Sequence, residues 1–215
     1  MKRAMWTGTL AMIAACGAAV AQDAPKAPEV VQPTSPASAQ TPEQSAAMRD
    51  QLVSLISEAG KPVEAHKVLE LLAGDFEVKG TLTLMPGVDV DWESEGRGEM
   101  ILGGRFMELN IKSKPGAKVQ IGSKTIFGYD TRRDAFTIWG IDTMGTYSVS
   151  GSGTYDEAAK KLVLMGTEKE GGRTLNFRFT YLFSDTGYTT ELEFEMAPNT
   201  WARMGKWEGK RAAAK

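Results

Sequence analysis

From Asp75 onward the chain alternates apolar and polar residues with a period of two. Phe76, Val78, Gly80, Leu82 and Leu84 alternate with Glu77, Lys79, Thr81 and Thr83. Side chains at i and i+2 share one face of a strand, so such a run reads as a half-buried strand. Pro86-Gly87 marks a turn. Val90, Trp92, Ser94, Gly96, Gly98 and Met100 then alternate with Asp91, Glu93, Glu95, Arg97 and Glu99. Gly103-Gly104 and Pro115-Gly116 bracket a third run through Met107, Leu109 and Ile111. Further strands are predicted over Val119–Tyr129, Ala135–Asp142, Thr146–Tyr155 and Lys161–Glu168. Leu175, Phe177, Phe179, Tyr181 and Phe183 form the clearest apolar face. Tyr188, Thr190, Leu192, Phe194 and Met196 alternate with Glu191, Glu193 and Glu195, and "TWARMGKWEG" is expected to close the sheet. Nine or ten antiparallel strands with short connections would leave long open edges in a flat sheet. Closure into an up-and-down β-barrel is therefore favoured, with a two-sheet sandwich as the alternative.

Before the strands the period changes. Thr41-Pro42-Glu43-Gln44 is a helix start, with Thr as N-cap, Pro at the first helical position and Gln three residues after the cap. Met48, Leu52, Leu55, Ile56 and Ala59 fall on one face, and Gly60 ends the segment, giving an amphipathic helix over residues 41–60. Pro62 opens a second, shorter helix carrying Val63, His66, Leu69 and Leu72 and ending at Gly74. The fold class is thus mainly β, with one or two N-terminal helices. Residues 22–40 are Ala, Pro, Gln and Ser with few apolar anchors and read as a disordered linker. Residues 1–21 have a basic start, an apolar stretch and an Ala19-Val20-Ala21 ending, the layout of a signal peptide. That predicts a periplasmic or secreted protein with no membrane span. In a second reading, Ile13-Ala14-Ala15-Cys16 is a lipoprotein box, and Cys16 carries a lipid anchor.

Composition narrows the chemistry. The 215 residues hold 25 Lys and Arg against 27 Asp and Glu, without the basic excess of a nucleic-acid footprint. One Cys and one His rule out an intrachain disulfide and Cys- or His-rich metal sites, and no cofactor is expected. A haem would need an axial His, and His66 precedes the first strand. "VSGSGTY" has the wrong frame for a nucleophile elbow, and "GGR" and "GSG" lack the Lys-Ser/Thr that completes a phosphate loop. His66 reads as a structural residue on a helix covering one barrel end. Asp130, Asp142 and Asp156, each at a strand end, read as turn caps.

Six pieces in order, "AHKVLELLAGDF", "LTLMPG", "GGRFMEL", "GYD", "IDTMGT" and "GTYDEAAKKLVL", resemble the bacterial domain-of-unknown-function family numbered 1579. The resemblance runs from about Pro62 to Arg211, within a barrel domain expected over residues 61–211. In that family the first strand usually carries Trp where this chain has Phe76. The resemblance implies a calycin or lipocalin-like barrel and brings no reaction with it.

The functional hint is the aromatic inventory. Phe76, Trp92, Phe127, Tyr129, Phe177, Phe179, Tyr181 and Phe194 fall on the apolar sides of their strands, with Ser94, Ser123 and Thr125 as polar neighbours. If the sheet closes, they either fill a solid core or line a pocket for a small apolar ligand. Three functions follow: an exported carrier of a small hydrophobic ligand; an envelope interaction protein whose helix 42–59 meets a partner; and, last, an enzyme using carboxylates or His66. No catalytic residue is assigned.

Overall fold

The computed structural model describes residues 41–85, 87–117, 119–170 and 172–213. The expected signal peptide, linker and lipid-anchor residue Cys16 lie outside these. The chain divides after Met48, and the barrel belongs wholly to the part from Arg49 onward.

Helix α1 spans Pro42–Ala59. Its start is the reciprocal cap that the sequence spells: the Gln44 N–H donates to Thr41 Oγ1 (3.3 Å), and the Thr41 N–H to Gln44 Oε1 (3.0 Å). No residue of α1 is buried, so Leu52, Val53, Leu55 and Ile56 present an apolar face to solvent.

The second expected helix is a 3₁₀ helix, Glu64–Leu72. The reason is its spacing. Val63, His66, Leu69 and Leu72 recur every three residues, which aligns them on one side at three residues per turn but spreads them around an α-helix. His66, Leu69 and Leu72 are buried. Leu72 carbonyl oxygen sits so close to Gly98 that a Cβ there would lie 1.7 Å from it, so only glycine lets the helix seat. Arg211 holds the exit of this helix: its guanidinium donates to the carbonyls of Ala73 (2.6 Å) and Leu71 (3.2 Å) and lies over the Phe76 ring.

Ten strands follow: β1 (Gly74–Met85), β2 (Val88–Ile101), β3 (Phe106–Ser113), β4 (Gly122–Asp130), β5 (Ala135–Asp142), β6 (Ser148–Asp156), β7 (Lys161–Glu170), β8 (Arg173–Ser184), β9 (Gly187–Ala197) and β10 (Thr200–Arg211). Each pairs antiparallel with its sequence neighbours, and β10 pairs with β1 from Phe76↔Arg211 to Leu82↔Gly205, so the sheet is a closed up-and-down barrel. Closure leaves no strand edge open and removes the sandwich alternative. Two strands are shorter than expected. β4 begins at Gly122 rather than Val119, because the Ser113 side chain bonds the Ile121 backbone on both sides, accepting from its N–H (2.6 Å) and donating to its carbonyl (2.9 Å), and draws that segment into a loop. β6 begins at Ser148 rather than Thr146, after the loop that Asp142 caps.

The period-two pattern sorts the wall. Outward rows carry cross-strand polar pairs such as Lys79–Glu93, Lys206–Glu191 and Arg178–Glu193. Trp139 also lies on the outer face, 41% exposed. Inward rows meet in the core, where Phe127, Leu164, Met107 and Leu72 are fully buried. Near the 3₁₀ helix the interior is filled by ring contacts running from His66 through Tyr129, Phe136, Tyr155 and Phe183 to Tyr181. No helix among the described residues is long and apolar enough to cross a membrane.

Candidate ligand-binding site

The other half of the interior is not filled. A cavity of about 130 Å³ opens at the barrel end away from the 3₁₀ helix. Trp92 of its wall and Gly98 under the helix are six residues apart on β2, about 20 Å along a strand. Trp92, Trp207, Phe179 and Tyr181 line one side, and Ile111, Ile121, Ile138 and Leu192 supply aliphatic surface. The polar part is narrow: Ser123 and Thr125 on β4, and Asp142 at the end of β5. Gly140, between Ile138 and Asp142 on β5, also borders the cavity.

Local sequence places each group. Phe136, Ile138, Gly140 and Asp142 share the inward side of β5, so the same alternation that buries Ile138 turns Asp142 toward the mouth. Its Oδ1 accepts from the Met144 N–H (2.7 Å), an Asx turn that fixes the carboxylate at the rim. Ser123 is its cross-strand partner. Across the barrel, Gly80 faces both Trp92 and Trp207. A Cβ at Gly80 would lie 2.5 Å from Trp207 Cβ and 2.9 Å from Trp92 Nε1, so the glycine makes the space in which the two indoles tilt together at 6.2 Å. Trp92 Nε1 and the Thr190 hydroxyl are buried without a hydrogen-bond partner among the described residues. Burial pushes the Tyr181 hydroxyl well above the usual phenol range, with Tyr188 adding to it, so Tyr181 is neutral at any ordinary pH.

Met85, Val88, Met144 and Met196 are exposed around the mouth. Turns at the opposite end carry Asp130, Arg132, Arg133, Asp134, Glu157 and Lys160. There, hydrogen bonds from Arg132 and Arg133 hold the Asp130 carboxyl far below the usual carboxylate range. Asp130, Asp142 and Asp156 all accept from backbone N–H groups of their own turns.

Of the candidate residues, Trp92, Phe179 and Tyr181 come together at the cavity, with Ser123 and Thr125 beside them. Phe76 and Phe127 lie in the filled core, and Ser94 is buried with its hydroxyl 3.3 Å from that of Ser113. Phe177 is buried against Phe179 and Phe194. Tyr129 lies at the far end, its hydroxyl donating to Asp134 and its ring against His66. His66 Nδ1 accepts from the Val63 N–H (3.0 Å), a local bond remote from the cavity. Trp207 and the inward setting of Asp142 were not anticipated. Alternation of Gly205, Trp207 and Gly209 was the available signal for the first, and the Phe136-to-Asp142 row for the second. Among the described residues no three His, Cys, Asp or Glu side chains gather as a metal site.

A family model described as "Protein of unknown function (DUF1579)" matches residues 61–211. The chain belongs to the DUF1579 family. The match takes in the 3₁₀ helix and all ten strands, so plug, wall and cavity of this DUF1579 protein lie within the family segment, while α1 lies before it. No curated protein matches the chain.

Proposed function

We propose that this DUF1579 protein is an exported, non-enzymatic barrel that binds a small hydrophobic molecule in the cavity at its open end. The observation that carries the reading is the division of the interior: a run of ring contacts beside the 3₁₀ helix at one end, and a cavity of about 130 Å³ walled by four aromatic rings at the other. A cavity of that size takes one aromatic ring or a short branched chain, since an apolar cavity of about 150 Å³ holds benzene. It is below the range of roughly 300–1,000 Å³ that drug-sized ligands occupy. Export rests on the leader pattern of residues 1–21. Binding rather than catalysis is supported by the donor set: among the described residues the cavity is lined by one acid and by the hydroxyls of Ser123, Thr125 and Tyr181, and the single His works at the other end of the barrel.

Titration with benzyl alcohol, followed by NMR of the indole N–H signals, tests the reading. Saturable shifts of the Trp92 and Trp207 signals, assigned by Trp→Phe variants, are the expected result. Shifts that stay linear with concentration, or none at these two indoles, would reject it.

A second reading is supported by α1. Leu52, Val53, Leu55 and Ile56 are each more than half exposed. Their cost in water is offset if the helix meets an envelope partner, with the barrel as its scaffold.

A further inference from the structure

Resting on the ligand-binding reading above, we propose that the cavity selects apolar molecules bearing a positively charged amine and discriminates against carboxylates such as short fatty or aromatic acids. Three observations carry this. First, among the described residues Asp142 is the sole charged side chain lining the cavity, and no described Lys, Arg or His lines it. Second, its carboxylate points into the mouth from the inward row of β5, and its bond to the Met144 N–H uses one of about four acceptor positions, leaving the others for a ligand. Asp142 forms no ion pair among the described residues, so a ligand would not have to displace a cation from it. Third, Ser123 and Thr125 stand beside it as further acceptors, and the opposite wall is made of Trp92, Trp207, Phe179 and Tyr181. Ring faces attract cations and repel anions. An ammonium at the rim thus meets a carboxylate, hydroxyls and aromatic faces while its apolar body fills the cavity. A carboxylate in the same place meets a like charge and finds no cationic partner among the described lining residues.

The test compares three probes of one skeleton on the full chain: benzylamine, benzyl alcohol and benzoate, each titrated against the Trp92 and Trp207 indole signals at pH 7. The expected order is amine tightest, alcohol intermediate and benzoate weakest, with about tenfold between amine and benzoate for one part-exposed charge interaction. Asp142→Asn keeps an acceptor for the Met144 N–H. It should bring amine and benzoate to within about twofold of each other. Raised salt should narrow the same gap in the unaltered chain. If the alcohol saturates the site but the amine binds no tighter than benzoate, the amine selectivity is wrong and the ligand-binding reading stands. An amine preference that survives Asp142→Asn also overturns it. Failure of all three probes to shift Trp92 overturns both readings together.

Discussion

Gly140→Leu should stabilise the protein and abolish binding at once. Gly140 is buried in the inward row of β5 and borders the cavity. A Cβ there would meet Thr125 Oγ1 at 3.4 Å, the Lys124 carbonyl at 3.6 Å and Val149 Cγ2 at 3.7 Å, all ordinary contacts, so the first carbon fits without moving the wall. The remaining three carbons of Leu have only the cavity to enter. Filling about 130 Å³ of cavity recovers at most about 3 kcal/mol at roughly 24 cal/mol per Å³. Four buried carbons at about 0.8 kcal/mol each give a similar figure. Replacing a strand glycine adds roughly 0.5–1 kcal/mol. Imperfect fit subtracts about 1–3 kcal/mol, and the open mouth means that part of the new side chain stays wet. The net expectation is a gain of about 1–3 kcal/mol, or a rise in Tm of roughly 2–10 °C for a chain of this size. Calorimetry reads the gain, and the benzyl alcohol titration reads the loss of binding. A fall in stability with binding intact would mean that the side chain does not enter the cavity. A rise in Tm with binding intact would place the ligand elsewhere. Gly140→Ala, one carbon longer, should change each property only slightly.

Other expectations concern the plug, the acid limb and the helix. Gly98→Ala forces a Cβ into the Leu72 carbonyl and should cost about 3 kcal/mol or more in urea unfolding, because backbone on both sides of the contact cannot turn away. His66→Ala removes the local bond to Val63 and the packing on Tyr129; a loss of about 1–3 kcal/mol with unchanged benzyl alcohol affinity is expected, and a lost affinity would contradict its structural role. Asp130, with its pKa depressed in the folded state by Arg132 and Arg133, contributes stability that is present above the unfolded carboxyl value, near pH 4, and lost as pH falls further toward the folded value. The urea midpoint of Asp130→Asn should therefore fall less steeply than that of the unaltered chain between about pH 4 and pH 2. Leu52→Asp with Ile56→Asp, both on the exposed face of α1, should move barrel stability by no more than about 0.5 kcal/mol. Capture of an envelope partner that survives these changes would remove α1 from the contact.

The period-two runs were enough to expect nine or ten antiparallel strands, because burial on one face and solvent on the other impose alternation residue by residue; closure was favoured over a two-sheet sandwich, and the pairing of β10 with β1 decided it. Caps were equally legible: Thr41 with Gln44, and the three turn aspartates, act on backbone within a few residues of themselves. The 3₁₀ form of the plug was present in the spacing of Val63, His66, Leu69 and Leu72, although a periodicity near three is easily read as an α-helix. Less legible was which inward aromatics would line space and which would fill it. Phe76, Phe127 and Trp92 have the same pattern along their strands, yet the first two are fully buried against Tyr188 and Tyr181 and Trp92 faces the cavity.

Strand, turn, cap and inward row follow from the sequence itself, since each depends on neighbours a few positions away and on the choice between water and core. Tertiary structure alone decided where along the barrel axis the interior is full. That outcome depends on how far the 3₁₀ helix enters one end, on the register that sets Gly80 against Trp92 and Trp207, and on the end of β5 that carries Asp142 to the rim. These are sums over side chains from strands more than a hundred residues apart, and no local pattern contains them.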